Sequence, residues 1–406
     1  MTEWINAAEA ARQLGVKQAT LYSYVSRGVL TRRRGTGGKI SLFDAAEVGE
    51  LARRGRPRQP PGLTGLVIES GLTEITDDTL RFRGLDALDL ARDRAFEEVS
   101  ALLWTGSLAA ASADSPWRAT PEAVQAASAA QAALPPGTLP LERLQVIVPA
   151  LAAADPLRLH LDPPAVIAAG QAIIGGMVDC LPAPAGDGPA DQGDGIAGRL
   201  WPKLCPDPPP ARLLGALSAA LVLLADHELA ASTLAARVAA SVRADPYAVV
   251  ATGLGALGGA LHGGASLGAE AMLAAAQDPA GAPRVVGDLL RRGERVPGLG
   301  HFVYRSGDPR AGLLLALVRR AVPASPRLAV ADALVAETHR RALPEPNIDF
   351  ALAVLASCAG MIPGAGEAIF AIARTAGWLA HGLEAYAART PLRPRAVYTG
   401  PPAATQ

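Results

Sequence analysis

VPGLGHFVYRSGDPRA, residues 296–311, is the stretch from which the rest of the chain can be read. Two glycines, Gly298 and Gly300, precede His301, and Arg305 and Arg310 follow it. Glycine suits a tight turn because it adopts backbone angles that other residues avoid. Such a turn delivers the imidazole. The two guanidinium groups add permanent positive charge in a planar fork that matches a carboxylate. The stretch thus offers a titratable donor beside an anion clamp. Taken alone it is also an ordinary surface turn with salt bridges, so its meaning depends on what the chain supplies elsewhere.

Two more histidines lie upstream. In LLADHELAAST (223–233) His227 ends an apolar run between an acidic residue and Glu228, and in GALGGALHGGA (255–265) His262 is surrounded by glycines. Glycine lets backbone approach a ligand closely, and burial can hold a histidine neutral. Each histidine alone reads as a hydrogen-bonded core residue. Downstream, PNIDFALAVL (346–355) places Asp349 at the start of an apolar helix, where an isolated aspartate reads as a cap. The three histidines are far apart in sequence on separate elements, so their spacing is not that of a metal site.

The chain has 406 residues, enough for two or three domains. Half of the residues are apolar while only 4% are aromatic, a composition suited to helices packed closely on helices. Net charge is zero, which announces neither nucleic acid nor membrane. The zero hides an asymmetry: residues 1–60 carry eleven Lys or Arg against five Asp or Glu, a local +6. The three cysteines (Cys180, Cys205, Cys358) are widely separated and indicate neither a disulfide framework nor zinc. The N-terminus shows no apolar leader, and the apolar run at 213–225 is too short to cross a bilayer. The expectation is a soluble cytoplasmic protein with no membrane partner.

The first segment reads as helix, glycine turn, helix, with Ala8, Ala11 and Leu14 on one face, then Leu21, Tyr24 and Val25 on the next. VLTRRRGTGGKISLF (29–43) reads as a hairpin, and a third helix starts from Asp44. This segment resembles the winged helix-turn-helix of the MerR and excisionase type over residues 1–55. The resemblance implies DNA as a partner, with Gln18, Ala19, Thr20, Tyr22 and Ser23 at a major groove and Arg32, Arg33 and Arg34 on phosphates. The other reading is a small helical domain whose basic charge is a solvated face. Residues 56–63 read as a Pro- and Gly-rich linker. Helical patterns dominate beyond it, except for a small β-element in LVIESGLTEITDDTLRFRG (66–84) and a flexible loop at 182–198.

Taken together, DHELAAST, GALGGALHGGA, PGLGHFVYRSGDPRA, PNIDF and the closing RPRAVYTGP occur in the order and spacing of citrate synthase, and RFRGLDALDLARDRAFEEVSALLWTG (81–106) matches further upstream. From about residue 64 onward the chain is similar to that family. The resemblance implies a mainly α fold, with a large domain (64–261 and 359–406), a small domain (262–358) and a cleft between them. It implies condensation of acetyl-CoA with oxaloacetate and hydrolysis of the citryl thioester. Acetyl-CoA would be a co-substrate, with no resident cofactor and no metal. Asp349 is similar to the base that deprotonates the acetyl methyl, His262 to the donor to the thioester carbonyl, and His301 to the donor to the ketone. His227, Arg310, Phe370, Arg374 and Arg393 look like substrate ligands, Arg393 coming from the second subunit of a homodimer. Arg305 would lie near the coenzyme phosphates.

The chemistry needs these residue types. A methyl beside a thioester is a far weaker acid than any carboxylate can match, so a donor must stabilise the oxygen as the proton leaves. A substrate dianion in a dry cleft needs guanidinium groups. Ser266 and Leu267 stand where the family often has Asn-Glu, and Phe302 replaces a smaller or more polar residue. Both departures bear on acyl preference. A 2-methylcitrate synthase using propionyl-CoA is one alternative, and a DNA-binding regulator that senses oxaloacetate or acyl-CoA is another. His160, His339 and His381 fit no motif and read as structural or surface residues.

Overall fold

The computed structural model describes residues 4–14, 16, 21, 24–25, 30–34, 41–53, 68–76, 79–110, 117–184, 193, 195–304, 306–396 and 399–400. Contacts divide the chain into residues 1–68 and 69–406.

In the first unit, strand Ser41–Asp44 lies in the middle of a three-stranded antiparallel sheet, flanked by Trp4–Asn6 and Arg32–Arg34. Helix Ala7–Leu14 begins where Asn6 Oδ1 accepts from Glu9 N at 2.9 Å. Helix Ala45–Arg53 begins one residue later than expected, because Asp44 caps it, its Oδ1 accepting from Ala46 N at 2.8 Å. Ala10, Ala11, Leu21, Tyr24, Leu30, Phe43 and Val48 form a small core of their own. The expected hairpin is present in Arg32–Arg34 and Ser41–Asp44. Most of the expected second helix, including Gln18, Ala19, Thr20, Tyr22 and Ser23, lies outside the described residues.

The second unit is mainly α. Its one sheet among the described residues, the expected β-element, is small and antiparallel: Thr73–Thr76, Thr79–Phe82 and Leu85–Asp86. Helix Ala365–Ala388 is the axis of the fold, with 20 of its 24 residues buried. Helices Phe96–Thr105, Pro163–Cys180, Ala211–Leu224, Ala231–Ser241 and Pro246–Leu257 pack around it. The small residues explain how they come so close. A Cβ on Gly253 would stand 2.5 Å from the Trp378 ring, and one on Gly170 would stand 2.8 Å from Leu379 Cδ1. Glycine there lets a helix lie directly against a buried indole, at the cost of some helix propensity.

Helix Pro163–Cys180 is long and apolar enough to cross a membrane, with mean hydropathy 1.2 over its 18 residues, a helix the apolar-run reading did not single out. Half of it is buried in the core, where Ile173, Ile174, Met177 and Val178 pack without exposed surface. That is the ordinary position of a core helix.

The packing generates a paired test. A Cβ on Gly175 would stand 2.0 Å from the Trp117 carbonyl oxygen, and backbone cannot yield as a side chain can. Gly175→Ala is expected to destabilise by about 1–3 kcal/mol, lowering the thermal midpoint. Gly215, exposed in helix Ala211–Leu224 with nothing within 4 Å, is the control: Gly215→Ala should raise the midpoint by up to about 1 kcal/mol equivalent. Calorimetry that found equal shifts would refute close packing at Gly175.

Candidate active site

The 296–311 turn is tied to the helix that carries Asp349. Gly298 and Gly300 take φ of +76° and +74°, the region that favours glycine. A Cβ on Gly298 would also meet Phe350 Cβ at 2.8 Å. Asn347 N donates to Gly298 O at 2.9 Å, and Asn347 Nδ2 donates to Gly300 O at 2.8 Å. Asp308 completes the join. Its carboxylate accepts from Arg310 Nε at 2.9 Å and Nη2 at 2.8 Å, and from Ile348 N at 3.0 Å. Burial pushes the Asp308 carboxyl up, but Arg310 and these hydrogen bonds outweigh it and hold it below the ordinary carboxylate range. Arg310 is 2% exposed and keeps its charge.

Asp349 is not the cap that its position suggests. Asn347 is: its Oδ1 accepts from Asp349 N at 3.0 Å and Phe350 N at 3.3 Å. The Asp349 carboxylate is therefore released from capping, and its Oδ1 accepts from Ser266 Oγ at 2.5 Å. Burial raises its pKa to about 6 in spite of Ser266, Arg310 and Arg374. Ser266 lies in the first turn of helix Gly264–Ala275, directly after His262. One hydrogen bond thus joins the LHGGAS and PNIDF stretches.

Both flanking histidines are neutral, and their partners fix the tautomers. Both ring nitrogens of His301 face donors: Nδ1 meets Val303 N at 3.1 Å and Tyr304 N at 3.4 Å, and Nε2 meets Arg310 Nη2 at 3.4 Å, an atom whose closer partner is Asp308 at 2.8 Å. The two fixed main-chain amides make Nδ1 the acceptor and leave the ring proton on Nε2. Burial and the nearby Arg310 draw its pKa down to about 4. His262 Nε2 lies 2.7 Å from Ser232 Oγ, which also accepts from Trp378 Nε1 at 3.3 Å. With the Trp378 donor already on that oxygen, the hydroxyl proton turns to Nε2 and the ring proton of His262 sits on Nδ1. Burial and then Arg374 lower the His262 pKa to about 4.

Helix Ala365–Ala388 supplies Phe370 and Arg374. The Arg374 guanidinium lies over the Phe370 ring, 4.7 Å from its centre, and Nε donates to Leu224 O at 2.8 Å. Arg374 is 1% exposed, and its Nη1 has no hydrogen-bond partner among the described residues. Burial lowers its pKa to about 10, so it remains a cation at neutral pH. Its charge reaches His227, His262, His301 and Asp349 alike. The His262 and Phe370 rings meet at 5.8 Å. His227 sits 2.9 Å through Nε2 from Tyr304 Oη, its ring 5.1 Å from that of His301. Burial and the two arginines push His227 well below the ordinary histidine range. Next to it Glu228 has φ of +54°, a strained backbone beside a site residue.

Seven of the expected residues therefore converge: His227, His262, His301, Arg310, Asp349, Phe370 and Arg374. Arg305 lies outside the described residues. Arg393 is exposed in the 391–396 segment and makes no hydrogen bond or ion pair among the described residues of its own chain. The structure adds Tyr304, Asp308, Ser232, Ser266 and Asn347 as partners that hold the reactive groups. Asp308-Pro309 carried a readable sign of a helix start, an acidic cap before a proline at the first turn; Asn347 is a cap-forming residue type, Ser266 stood out as a departure from the family pattern, and Ser232 and Tyr304 carry no sign. Of the unassigned histidines, His381 is wholly buried while His160 and His339 are exposed. Among the described residues no cluster of His, Cys, Asp and Glu is arranged to hold a metal ion.

Asp308→Asn would leave a buried guanidinium without its counterion, so a loss of about 3–5 kcal/mol is expected at pH 7. Because the folded Asp308 pKa is depressed, its contribution is present above the ordinary carboxylate pKa and fades as acid drives the pH down through the folded value. The gap in denaturation midpoint between wild type and variant should close in acid. A gap independent of pH would show that Asp308 acts through packing rather than charge.

The comparisons agree with this arrangement. The family described as citrate synthase, C-terminal domain, matches residues 62–395. Citrate synthase 2 of Bacillus subtilis is 32% identical over 374 residues, covering 84% of this chain and 95% of its own. The 2-methylcitrate synthase of Mycobacterium tuberculosis is 29% identical over 367 residues, covering 85% and 91%. The citrate synthase of Thermotoga maritima superposes with a TM-score of 0.67 at 25% identity, covering 84% of this chain and 96% of that one. The Thermoplasma acidophilum citrate synthase, solved as a ternary complex with carboxymethyl coenzyme A and oxaloacetate, shares the fold with a TM-score of 0.69 at 24% identity over the same shares. Matched by that family over residues 62–395, and 32% identical to a citrate synthase across most of both chains, the chain belongs to the citrate synthase family.

Proposed function

We propose that this protein condenses acetyl-CoA with oxaloacetate and hydrolyses the resulting thioester, giving citrate and CoA. One observation carries the reading: Asp349, raised to about 6, and the neutral His262 and His301 all lie within the field of one and the same buried cation, Arg374. Each group has a step. Asp349 removes a proton from the acetyl methyl, and the Nδ1 proton of His262 stabilises the thioester oxygen as the enol forms. The enol carbon bonds to the ketone carbon of oxaloacetate, whose oxygen receives the Nε2 proton of His301. Water then cleaves the thioester and CoA leaves. Arg310 and the open Nη1 of Arg374 take the substrate carboxylates, with His227 and Phe370 beside them. CoA enters and leaves as a substrate.

The rest of the organisation belongs to the same reading. Residues 262–358 close on 64–261 and 359–406, which shuts out water. The unit is a homodimer, in which Arg393 serves the site of the partner subunit. Support comes from the exposed position of Arg393 and from Leu157, Leu159, Val238 and Val242, apolar side chains 39–70% exposed on or beside helices Pro140–Ala153 and Ala231–Ser241. Arg305, which follows His301 closely in the sequence, meets the coenzyme phosphates. Similarity to a 2-methylcitrate synthase favours a second donor, propionyl-CoA. The N-terminal unit is a winged helix-turn-helix that binds DNA; the exposed Arg32 and Arg33 on a hairpin strand support that reading, as do its local +6 charge and separate core.

Two experiments test these statements. Thiol release is measured with oxaloacetate and either acetyl-CoA or propionyl-CoA. Wild type should turn over, with the rate falling as pH drops below about 6 because Asp349 must be ionised to act, and Asp349→Ala should lose about 100-fold or more. A folded, silent wild type would favour the sensor instead. Secondly, duplex DNA should be shifted at low salt, and the shift should vanish on deleting residues 1–60; equal binding by the truncated protein removes the DNA role.

A further inference from the structure

Asp226 directly precedes His227, has no exposed surface, and takes no part in the steps above. Thr73 Oγ1 donates to its Oδ2 at 2.5 Å, and His381 Nε2 faces the same oxygen across 3.4 Å. On the far side of that ring, Arg237 Nη1 lies 2.9 Å from His381 Nδ1. A guanidinium donates and cannot accept, so Nδ1 is the acceptor and the ring proton is on Nε2, turned toward Asp226. Arg237 is itself held by Glu384 Oε2 at 2.6 Å and Glu69 O at 3.2 Å. A fully buried histidine is thus oriented from behind so that its Nε2 faces a fully buried carboxylate at ion-pair distance, without a hydrogen bond among the described residues.

Arg374, Gly377 and His381 stand at i, i+3 and i+7 and share one face of helix Ala365–Ala388. That face lies against residues 224–226. Arg374 Nε donates to Leu224 O at 2.8 Å and Gly377 N to Ala225 O at 2.9 Å. A Cβ on Gly377 would stand 2.3 Å from Asp226 Oδ1, so the helix admits the carboxylate where it carries no side chain. Asp226 Oδ1 and Arg374 Nη1 both lack a hydrogen-bond partner among the described residues. A buried anion lodged against the helix face that carries a buried cation offsets part of that cation's desolvation while the cation's far end stays open.

We propose that Asp226 is a positioning residue for the condensation: held by Thr73 and lodged at Gly377 against the helix face that carries Arg374, it supplies the counter-charge that lets the buried guanidinium keep its Nη1 open for a substrate carboxylate. The inference rests on the functional reading above. Of the influences that favour the charged form of Arg374, Asp226 is the largest, set against burial; Arg310, Tyr304 and Asp349 are the other titratable groups that reach it. Burial pushes the Asp226 carboxyl up, and His381, Arg374 and Thr73 outweigh it, so the carboxylate is ionised at neutral pH.

The test is Asp226→Asn, close in shape and without the charge. The KM for oxaloacetate should rise about tenfold, kcat should change less, and the alkaline limb of kcat/KM should move down by about one pH unit as Arg374 loses its counter-charge. A merely structural role would reduce the active fraction without moving that limb. Thr73→Val, which removes only the hydroxyl on Asp226, gives the same signs at about threefold in KM and serves if Asp226→Asn does not fold. Unchanged KM and alkaline limb in a folded variant overturns the proposal. Wild-type turnover is measured first. Its absence sinks the functional reading, and calorimetric titration with oxaloacetate between pH 7 and 10 then decides on Asp226: weaker binding by the variant supports it, equal binding overturns it.

Discussion

Keeping two guanidinium groups charged inside a helical core is the constraint to which the rest of this site answers. Arg310 and Arg374 are 2% and 1% exposed. Ions out of water are costly unless paired, and a pair that neutralised both ends would leave nothing for a ligand. The two arginines solve the problem differently. Arg310 is held by Asp308 through two hydrogen bonds, and the same carboxylate also grips Ile348 N. Arg374 has a carbonyl on Nε, an aromatic face beneath it and an open Nη1.

The states of the neighbouring groups follow first from burial, and for the histidines from those cations as well. Buried imidazoles near a positive charge resist a second proton, so His227, His262 and His301 stay neutral. The Asp349 carboxylate, the base of the proposed reaction, is pushed the other way by the same burial, to about 6. A single environment therefore separates donors from base. Main-chain amides and a serine hydroxyl settle which ring nitrogen carries each proton.

Much of this could be read from the amino acids. The glycine turn before His301, the glycine-flanked His262 and the Asp349 helix start were visible as motifs, as was the β-element near residues 73–82. The cap was misread because Asn347 and Asp349 are both capable of it, and only backbone geometry decides which side chain turns back on the helix. Ser232 and Tyr304 left no trace, since a serine 30 residues before a histidine carries no periodic or turn signal. His381 was indistinguishable from a surface histidine until its helix was seen to be buried nearly all round. In the N-terminal unit the hairpin and the capped helix were legible, while the residues expected to meet a major groove lie outside those described.

Asn347 and Asp308 bind the turn carrying His301 to the helix start carrying Asp349 through both main-chain and side-chain hydrogen bonds. The separation of the two reactive groups is then a fixed gauge, set during folding and indifferent to which ligand arrives. Under the proposed reaction, an acyl chain whose reacting carbon does not suit the gauge would bind without turning over, as a competitor rather than a poor substrate.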